Sequence, residues 1–275
     1  MEPGPGRAYW HADVVMTASA AQLRNAASIR DPYDDSALDV TLYVSCYNEA
    51  SSIVNTLDAA CAAASEVGLS FEILVIDDGS RDNSRAVVRE YLASHPERNI
   101  ILIENRTNKG LAQNYLDGAF MGRGRYYRLI CGDSPEPQET IATVLGAIGQ
   151  ADCIVPYALT VPGRSLSRRV VSKAYSFVIN AITGNNIHYY NGLAVHLRHN
   201  VMRWHTNTRG FGFQTEILCL LIDAGFTYKE VAVNTYEQRQ GKSNALTLPN
   251  MLSVAHTIVE LVNRRLSGMV YRPRR

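Results

Sequence analysis

The chain has 275 residues, of which 46% are hydrophobic and 19% are charged, and its formal net charge is +1 at pH 7. This composition predicts a globular protein with a large core, and the near-neutral charge argues against nucleic-acid binding over the whole surface. The five cysteines are scattered and include no C-x-x-C pair, which argues against a zinc knuckle and a disulfide framework and is typical of a reducing cytosol.

Targeting and membrane signals are absent from the sequence pattern. No apolar run approaches the roughly 20 residues that a membrane-spanning helix needs. The N-terminus, MEPGPGRAYWHADVV, lacks the basic start and apolar centre of a signal peptide. We therefore expect a cytoplasmic protein that is soluble or attached peripherally to the cytoplasmic face of a membrane.

Strand-like and helix-like segments alternate through the first half of the chain. Residues 1–38 show no sustained periodicity, which predicts an N-terminal extension with a short helix around residues 18–29. Strands are predicted at residues 39–46, 71–76, 100–103, 125–130 and 152–157, and helices at 48–67, 82–93, 110–121 and 137–148. This alternation predicts an α/β fold with a mostly parallel central sheet, Rossmann-like, and helices on both faces.

The pattern changes after residue 157. Further helices are predicted at residues 166–182, 214–224 and 249–266, and further strands at 226–233 and at 189–197, the latter with a turn near Asn191-Gly192. The last helix is amphipathic and is followed by a basic tail, an arrangement suited to an anionic membrane surface; packing of the helix onto the domain is equally supported.

Acidic and polar residues follow the predicted parallel strands. Ligands of open α/β sheets bind beyond the carboxyl ends of the strands, so these residues are expected around one crevice. The turns are Tyr47-Asn48-Glu49, Asp77-Asp78-Gly79-Ser80, Glu104-Asn105-Arg106 and Cys131-Gly132-Asp133. Taken alone, the Asp77-Asp78 turn supports a nucleotide site and a capped acidic turn equally.

Four motifs in one order resemble the nucleotide-sugar half of family 2 glycosyltransferases, which have the GT-A fold. They are SCYNEASSI, EILVIDDGSRDNS, NRTNKGLAQN and GRGRYYRLICGDSPEPQ, which start at residues 45, 72, 105 and 122. Segments 164–184, 189–201, 210–233 and 237–244 are similar to the polyprenyl-phosphate branch of that family, the dolichyl-phosphate mannose synthase type. The resemblance implies a GT-A domain at residues 39–245, with a nucleotide-sugar half (39–138) and an acceptor half (139–245), followed by the C-terminal helix and basic tail (246–275).

The resemblance also implies which residues bind the donor, a nucleoside-diphosphate sugar. These are Tyr47, Asn48, Glu49, Asp77, Asp78, Asn105, Lys109, Gly110, Gly132 and Asp133. A cation that opens a helix can face a phosphate, which agrees with the role implied for Lys109; a solvated lysine is the alternative.

The turn after the fourth strand departs from the family pattern. The family has Asp-x-Asp there, often with a Gln two residues later, and this chain has Cys131, Gly132 and Asp133 with Pro135 at the Gln position. The resemblance then implies Mg²⁺ or Mn²⁺ held weakly by Asp133, with Glu136 as a conceivable second ligand. An enzyme that needs no metal, in which protein cations neutralise the diphosphate, is the alternative. A lone thiol such as Cys131 is more typical of a small buried group than of a ligand.

The acceptor half carries basic residues in two places. Arg239, Lys242 and Ser243 match the family's R-x-x-G-x-S loop, which implies contact with the pyrophosphate or the acceptor phosphate. Arg164 and Arg168 belong to a second basic cluster at helical spacing, suited to an anionic acceptor or a lipid headgroup; a solvated helix face is equally supported.

Glu216 lies near the position of the family's acidic base, and Gln214 beside it is expected to contact sugar hydroxyls. A phosphate acceptor is already ionised, in which case Glu216 only positions groups. The three histidines His196, His199 and His205 fit no common metal spacing, so structural roles are expected for them.

We therefore predict an inverting glycosyltransferase that moves a hexosyl group to a polyprenyl phosphate or another lipid-linked acceptor, with Asp133, Glu216 and Arg239 as catalytic residues. The alternative is a degenerate GT-A domain that binds a nucleotide sugar or a partner without catalysis. A nicotinamide oxidoreductase is disfavoured because no G-x-G-x-x-G follows the first strand. No nucleic-acid partner is expected, and a homodimer is left open.

Overall fold

The computed structural model describes residues 37–133, 136–160, 166–203, 212–234 and 248–270. The predicted N-terminal helix lies outside these ranges. The strands are β1 (Leu38–Cys46), β2 (Phe71–Asp77), β3 (Ile100–Glu104), β4 (Gly124–Cys131), β5 (Cys153–Thr160), β6 (Val195–Leu197) and β7 (Tyr228–Asn234). The helices are α1 (Ile53–Glu66), α2 (Ser84–Ser94), α3 (Leu111–Met121), α4 (Gln138–Leu145), α5 (Leu166–Thr183), α6 (Arg198–Met202), α7 (Phe213–Asp223) and α8 (Leu248–Val270).

The seven strands form one sheet in the order β3-β2-β1-β4-β6-β5-β7. Neighbouring strands are parallel except for β6, which runs antiparallel to both β4 and β5. The carboxyl ends of the other six strands therefore meet at one edge of the sheet. The prediction of a mostly parallel sheet is confirmed.

Helices cover both faces because successive side chains of a strand point to opposite sides. Leu42 and Val44 of β1 pack in one core with α1, α2 and α4. Tyr43, between them, packs in the second core with residues of α3, α5, α7 and α8. The predicted two-faced architecture is confirmed, and this second core joins the C-terminal helix α8 to the domain.

The strand predicted at residues 189–197 is wrong in extent, since only Val195–Leu197 forms β6. The carbonyl of Leu193 accepts a hydrogen bond from Arg128 Nε at 3.1 Å instead of pairing in a ladder. At Gly192, an added Cβ would lie 2.1 Å from the Pro156 carbonyl oxygen, so the chain runs close against β5 there. Side-chain bonding and this close approach end the strand early.

The first predicted helix begins five residues later than its pattern suggested, at Ile53. Asn48 has a positive φ of 60°, which helical residues do not adopt. Residues 47–52 therefore form a turn at the edge where the strands end. No helix in the described residues is long and apolar enough to cross a membrane.

Candidate active site

Backbone hydrogen bonds join the turns at the carboxyl edge of the sheet. The Asp78 amide donates to the Cys46 carbonyl at 2.8 Å, and the Asn105 amide donates to the Asp77 carbonyl at 2.9 Å. The Gly132 amide donates to the Ser45 carbonyl at 3.1 Å. The four turns that were expected to form one crevice are therefore adjacent.

The turn after β1 is braced against the turn after β2. The Asn48 amide donates to Ser80 Oγ at 2.9 Å, and the Asn48 side-chain oxygen accepts from the Arg81 amide at 2.8 Å. The Glu49 amide donates to Ser84 Oγ at 2.8 Å. Tyr47 keeps 43% of its surface exposed at this edge.

Asp77 and Asp78 have different environments although they are adjacent. Asp77 is fully buried, and its Oδ1 accepts from the amides of Gly79 and Ser80 and from Arg85 Nε. Burial alone would raise the pKa of Asp77, but the hydrogen bonds from Ser80 and Arg85 outweigh it and hold that pKa below its ordinary value. Asp77 therefore shapes the turn as an anion.

Asp78 connects the turns after β2 and β3. Its Oδ1 accepts from the Lys109 amide at 2.8 Å and from Asn105 Nδ2 at 3.1 Å, and its Oδ2 accepts from the Gly110 amide at 2.9 Å. A carboxylate offers about four acceptor positions, so Oδ2 retains one, although Asp78 is only 6% exposed. Gly110 has a φ of 85°, a conformation that favours glycine.

Lys109 points along α3 and pairs with Asp117 at 2.7 Å. A cavity of about 350 Å³ lies beside this pair, lined in part by Asn105, Ile103 and Phe120. A larger cavity of about 750 Å³ is lined by residues at the opposite edge, where the strands begin, among them Leu38 and Phe71. The smaller cavity therefore belongs to the candidate site, and the larger one does not.

The turn after β4 is fixed by contacts to α1. The Gly132 carbonyl accepts from Ser52 Oγ at 2.7 Å, and a Cβ added to Gly132 would lie 2.2 Å from the Ser45 carbonyl oxygen. Only glycine fits this close approach, which sets the direction of the next residue, Asp133. Asp133 is partly exposed at the edge.

A buried ion pair that the sequence reasoning missed lies behind this turn. Arg128 is fully buried in β4, and its Nη2 donates to both oxygens of Glu136 at 2.9 and 2.8 Å. The sequence suggests Glu136 as a second metal ligand, but both of its carboxylate oxygens accept hydrogen bonds from Arg128. The sequence does contain a signal for this pair, which is a cationic residue within a largely apolar strand. Such a residue is almost never fully buried unless it is paired.

The described residues contain no group of three or more His, Cys, Asp or Glu side chains that would hold a metal. They offer one oxygen ligand at the β4 turn, Asp133. Mg²⁺ is often bound by only one or two carboxylates together with water and substrate phosphates. The site therefore fits an ion that arrives with a diphosphate.

Glu216 is buried in the first turn of α7, 3.7 Å from Arg264 Nη2 of α8. Four residues connect the end of α7 to the start of β7, so α7 ends near the amino edge of the sheet and begins toward the carboxyl edge. Gln214 Oε1 is buried and has no hydrogen-bond partner among the described residues. Glu216 and Gln214 are thus on the side of the sheet edge where Asp133 lies.

Several predicted acceptor residues cannot be placed. Arg164, Arg239, Lys242 and Ser243 lie outside the described residues, as does the side chain of Arg168 in α5. The strand before the Arg239 segment, β7, ends at Asn234 at the carboxyl edge, where the Asn234 carbonyl accepts from Thr140 Oγ1 at 2.6 Å.

Two of the histidines are described. His196 is buried, with Nδ1 3.4 Å from Cys153 Sγ, and burial lowers its pKa to about 4. A neutral buried imidazole on β6 fits the structural role that was expected. His199 lies in α6, and His205 lies outside the described residues.

Comparison with known proteins agrees with this arrangement. An undecaprenyl-phosphate 4-deoxy-4-formamido-L-arabinose transferase of Pectobacterium carotovorum is 28% identical over 156 residues, covering 57% of this chain and 47% of that protein. A dolichyl-phosphate beta-glucosyltransferase of Dictyostelium discoideum is 31% identical over 109 residues, covering 38% of this chain and 33% of that protein. The chain thus spans about half the length, or less, of these relatives.

Solved structures show the same fold. Glucosyl-3-phosphoglycerate synthase from Mycobacterium tuberculosis, in complex with Mn²⁺, UDP and glucosyl-3-phosphoglycerate, superimposes with a TM-score of 0.67 at 13% identity. The alignment covers 93% of this chain and 87% of that one. At this identity the likeness shows the fold alone, and it confirms the expected GT-A architecture.

The family model described as glycosyl transferase family 2 matches residues 41–203. This segment is more than half of the chain and contains the four turns from Tyr47 to Asp133. The chain belongs to glycosyl transferase family 2.

Proposed function

We propose that the protein transfers a hexosyl group from a nucleoside-diphosphate sugar to a lipid-linked phosphate, with inversion at the anomeric carbon. The observation that carries the proposal is the meeting of the Tyr47, Asp78, Lys109 and Asp133 turns at one carboxyl edge, within the segment that matches the family. The names of two relatives, an undecaprenyl-phosphate transferase and a dolichyl-phosphate transferase, support a polyprenyl phosphate as the acceptor.

The donor half has groups for both ends of the nucleotide. The remaining acceptor position on Asp78 suits a base or ribose donor, and the exposed ring of Tyr47 suits stacking. Asp133 faces the diphosphate. A Mg²⁺ or Mn²⁺ ion that binds with the donor would be held by Asp133 and would neutralise the leaving diphosphate.

In the transfer step, a phosphate oxygen of the acceptor forms a bond to the anomeric carbon while the bond from that carbon to the diphosphate oxygen breaks. Arg239 and Lys242 stabilise the charge on the leaving group. An ionised phosphate needs no base, so Glu216, held beside Arg264, positions the acceptor. With a hydroxyl acceptor, Glu216 would take the proton instead.

The partners that follow from this proposal are a nucleotide sugar, an anionic lipid-linked acceptor and the cytoplasmic face of a membrane. A homodimer stays a prediction.

A binding assay and a turnover assay test the proposal together. Thermal shifts of the purified protein with UDP, GDP and dTDP, each with and without Mn²⁺, identify the nucleotide. Transfer is then measured with the matching nucleotide sugars and polyprenyl phosphate, with and without EDTA. We expect Asp133→Asn to abolish transfer. The control is Asp39→Asn, the same substitution at the amino end of β1, which should leave transfer unchanged.

The outcomes separate the candidate functions. A nucleotide shift without transfer or donor hydrolysis would favour the binding-module alternative. No shift with any nucleotide would refute donor binding at this edge. Cys131→Asp restores the first acid of the family's Asp-x-Asp motif. If this variant shows the same effect of Mn²⁺ on the thermal shift as the wild type, the β4 turn is not the metal position.

A further inference from the structure

Two neighbouring helices, α5 and α8, each carry an apolar stripe that no described residue covers. The stripe on α5 contains Leu166, Val170 and Phe177, and the stripe on α8 contains Leu252, Val259 and Leu266. These six side chains are between 54% and 77% exposed. The two helices pack side by side, and together the stripes are named the α5–α8 surface.

The surface is distinct from the faces by which these helices pack on the domain. Ile179 of α5 and Leu261 of α8 are buried in the second core, and Tyr175 OH donates to Thr215 Oγ1 of α7 at 2.8 Å. A surface helix with one face in a core normally has a polar opposite face. Here the outward positions recur at helical spacing and are apolar, as in a helix with two partners.

The charges that border the α5 stripe have one sign. The sequence of α5 contains no acidic residue, and Arg169 and Lys173 are exposed beside Val170. Exposed apolar side chains bordered by Arg and Lys are typical of helices that lie in a membrane interface, where the apolar groups enter the acyl boundary and the cations meet anionic headgroups.

We propose that the α5–α8 surface docks on an anionic lipid bilayer. A second copy of the chain is the competing occupant, but a two-fold contact centred on α5 would place Arg169 and Lys173 near their own counterparts. The sequence of α5 contains no acidic residue and that of α8 contains only Glu260, so such a contact would bring more cations than carboxylates together. A bilayer supplies the complementary charge over its whole surface.

Docking through the α5–α8 surface would bring the candidate site close to a lipid-linked acceptor. β5 ends at Thr160 on the carboxyl edge, and α5 begins at Leu166. Leu159, near that edge, is 61% exposed and apolar as well. This use rests on the proposed lipid-linked acceptor, whose phosphate would reach the edge while its chain stays in the bilayer.

Flotation of the full chain with vesicles tests the proposal without donor or acceptor. Vesicles of phosphatidylcholine alone are compared with vesicles that also contain phosphatidylglycerol. We expect Phe177→Glu to reduce partitioning onto the anionic vesicles about ten- to hundredfold, since it removes an exposed apolar side chain that docking would bury in the bilayer. The matched control is Ile101→Glu, because Ile101 on β3 is 43% exposed and lies outside both the surface and the cavity of the candidate site.

A second pair of variants tests the charge. Lys173→Gln should weaken partitioning about fivefold and reduce its salt dependence. Arg89→Gln, on α2 at the opposite face of the sheet, should have no effect. Thermal shifts with nucleotide are measured on every variant, so loss of vesicle binding with an unchanged nucleotide shift concerns this surface and not the donor site.

Equal partitioning of the Phe177→Glu and Ile101→Glu variants would overturn the proposal. Light scattering tests the competing occupant. If the wild type is a dimer, Phe177→Glu is a monomer and neither binds vesicles, the surface belongs to a second copy of the chain. No vesicle binding by a wild-type monomer would overturn the proposal as well.

Discussion

The buried pair of Arg128 and Glu136 should contribute far more to stability than an exposed pair of the same chemistry. Arg128 is fully buried and Glu136 is 18% exposed. The Glu136→Gln variant removes the negative charge but keeps the size of the side chain. Because the guanidinium then stays in the core without a counter-charge, we expect a large loss.

The loss can be estimated from the contacts. Glu136 accepts two charge-assisted hydrogen bonds from one nitrogen of Arg128. Removing one partner of a buried pair costs about 3–5 kcal/mol of unfolding free energy. The pair of Arg89 and Glu104 is exposed, with 64% of the Arg89 side chain accessible, and an exposed pair contributes about 0.2–1 kcal/mol.

Urea unfolding of the wild type, Glu136→Gln and the control Glu104→Gln measures both values. A third variant, Arg128→Met combined with Glu136→Gln, removes the buried cation as well. It should be more stable than the Glu136→Gln variant, although the Leu193 carbonyl then lacks its donor, which costs about 1–3 kcal/mol.

Similar losses for Glu136→Gln and Glu104→Gln, both below about 1 kcal/mol, would refute this reasoning. A double variant less stable than Glu136→Gln would also contradict it, since the uncompensated charge would then not be the cause of the loss.

Three further predictions concern single positions. Gly132→Ala forces its Cβ against the Ser45 carbonyl, so it should lower the free energy of unfolding by about 1–3 kcal/mol and reduce the thermal shift with nucleotide. The control is Gly149→Ala, whose Cβ meets nothing within 4 Å. It should cost only its backbone strain and leave the nucleotide shift unchanged. Asp78→Asn places an amide donor among three donors and should cost about 1–3 kcal/mol by urea unfolding, more than Asp39→Asn. The pKa of His196 is lowered to about 4 by burial, so the unfolded state binds more protons between about pH 6.5 and 4, and stability falls as the pH falls through that window. Between pH 7 and pH 5 that loss is about 2 kcal/mol, and His196→Leu should remove it; an equal loss in both proteins would refute the assignment.

The sequence predicted most of the fold because its elements are locally consistent. Alternating apolar strands and helices fix a mostly parallel sheet, and the position of the polar turns then follows from the topology. The separation of the turns along the chain did not hinder this prediction, since parallel strands bring their carboxyl ends to the same edge.

The sequence did not distinguish residues of one type in different environments. Asp77 and Asp78 are adjacent in the sequence and both are buried, yet Asp77 bonds within its own turn and to Arg85, whereas Asp78 bonds to the turn after β3. The Leu193 carbonyl accepts a hydrogen bond from the Arg128 side chain instead of from a neighbouring strand. These two residues are far apart in the sequence, so the local pattern does not predict their contact. Burial and long-range side-chain contacts are therefore what the local pattern lacked.

The contacts of Arg128 bear on how the β4 turn handles a diphosphate. Glu136 follows Asp133 closely, but both of its oxygens accept hydrogen bonds from Arg128. Asp133 is therefore the carboxylate of this turn that is proposed to bind the ion. A divalent ion held by one protein carboxylate takes most of its remaining ligands from water and phosphate oxygens. Affinity for Mn²⁺ should therefore be weak for the protein alone and rise when the nucleoside diphosphate is bound. The two ligands then stabilise each other's binding by the same factor, which titrations of either ligand in the presence of the other measure.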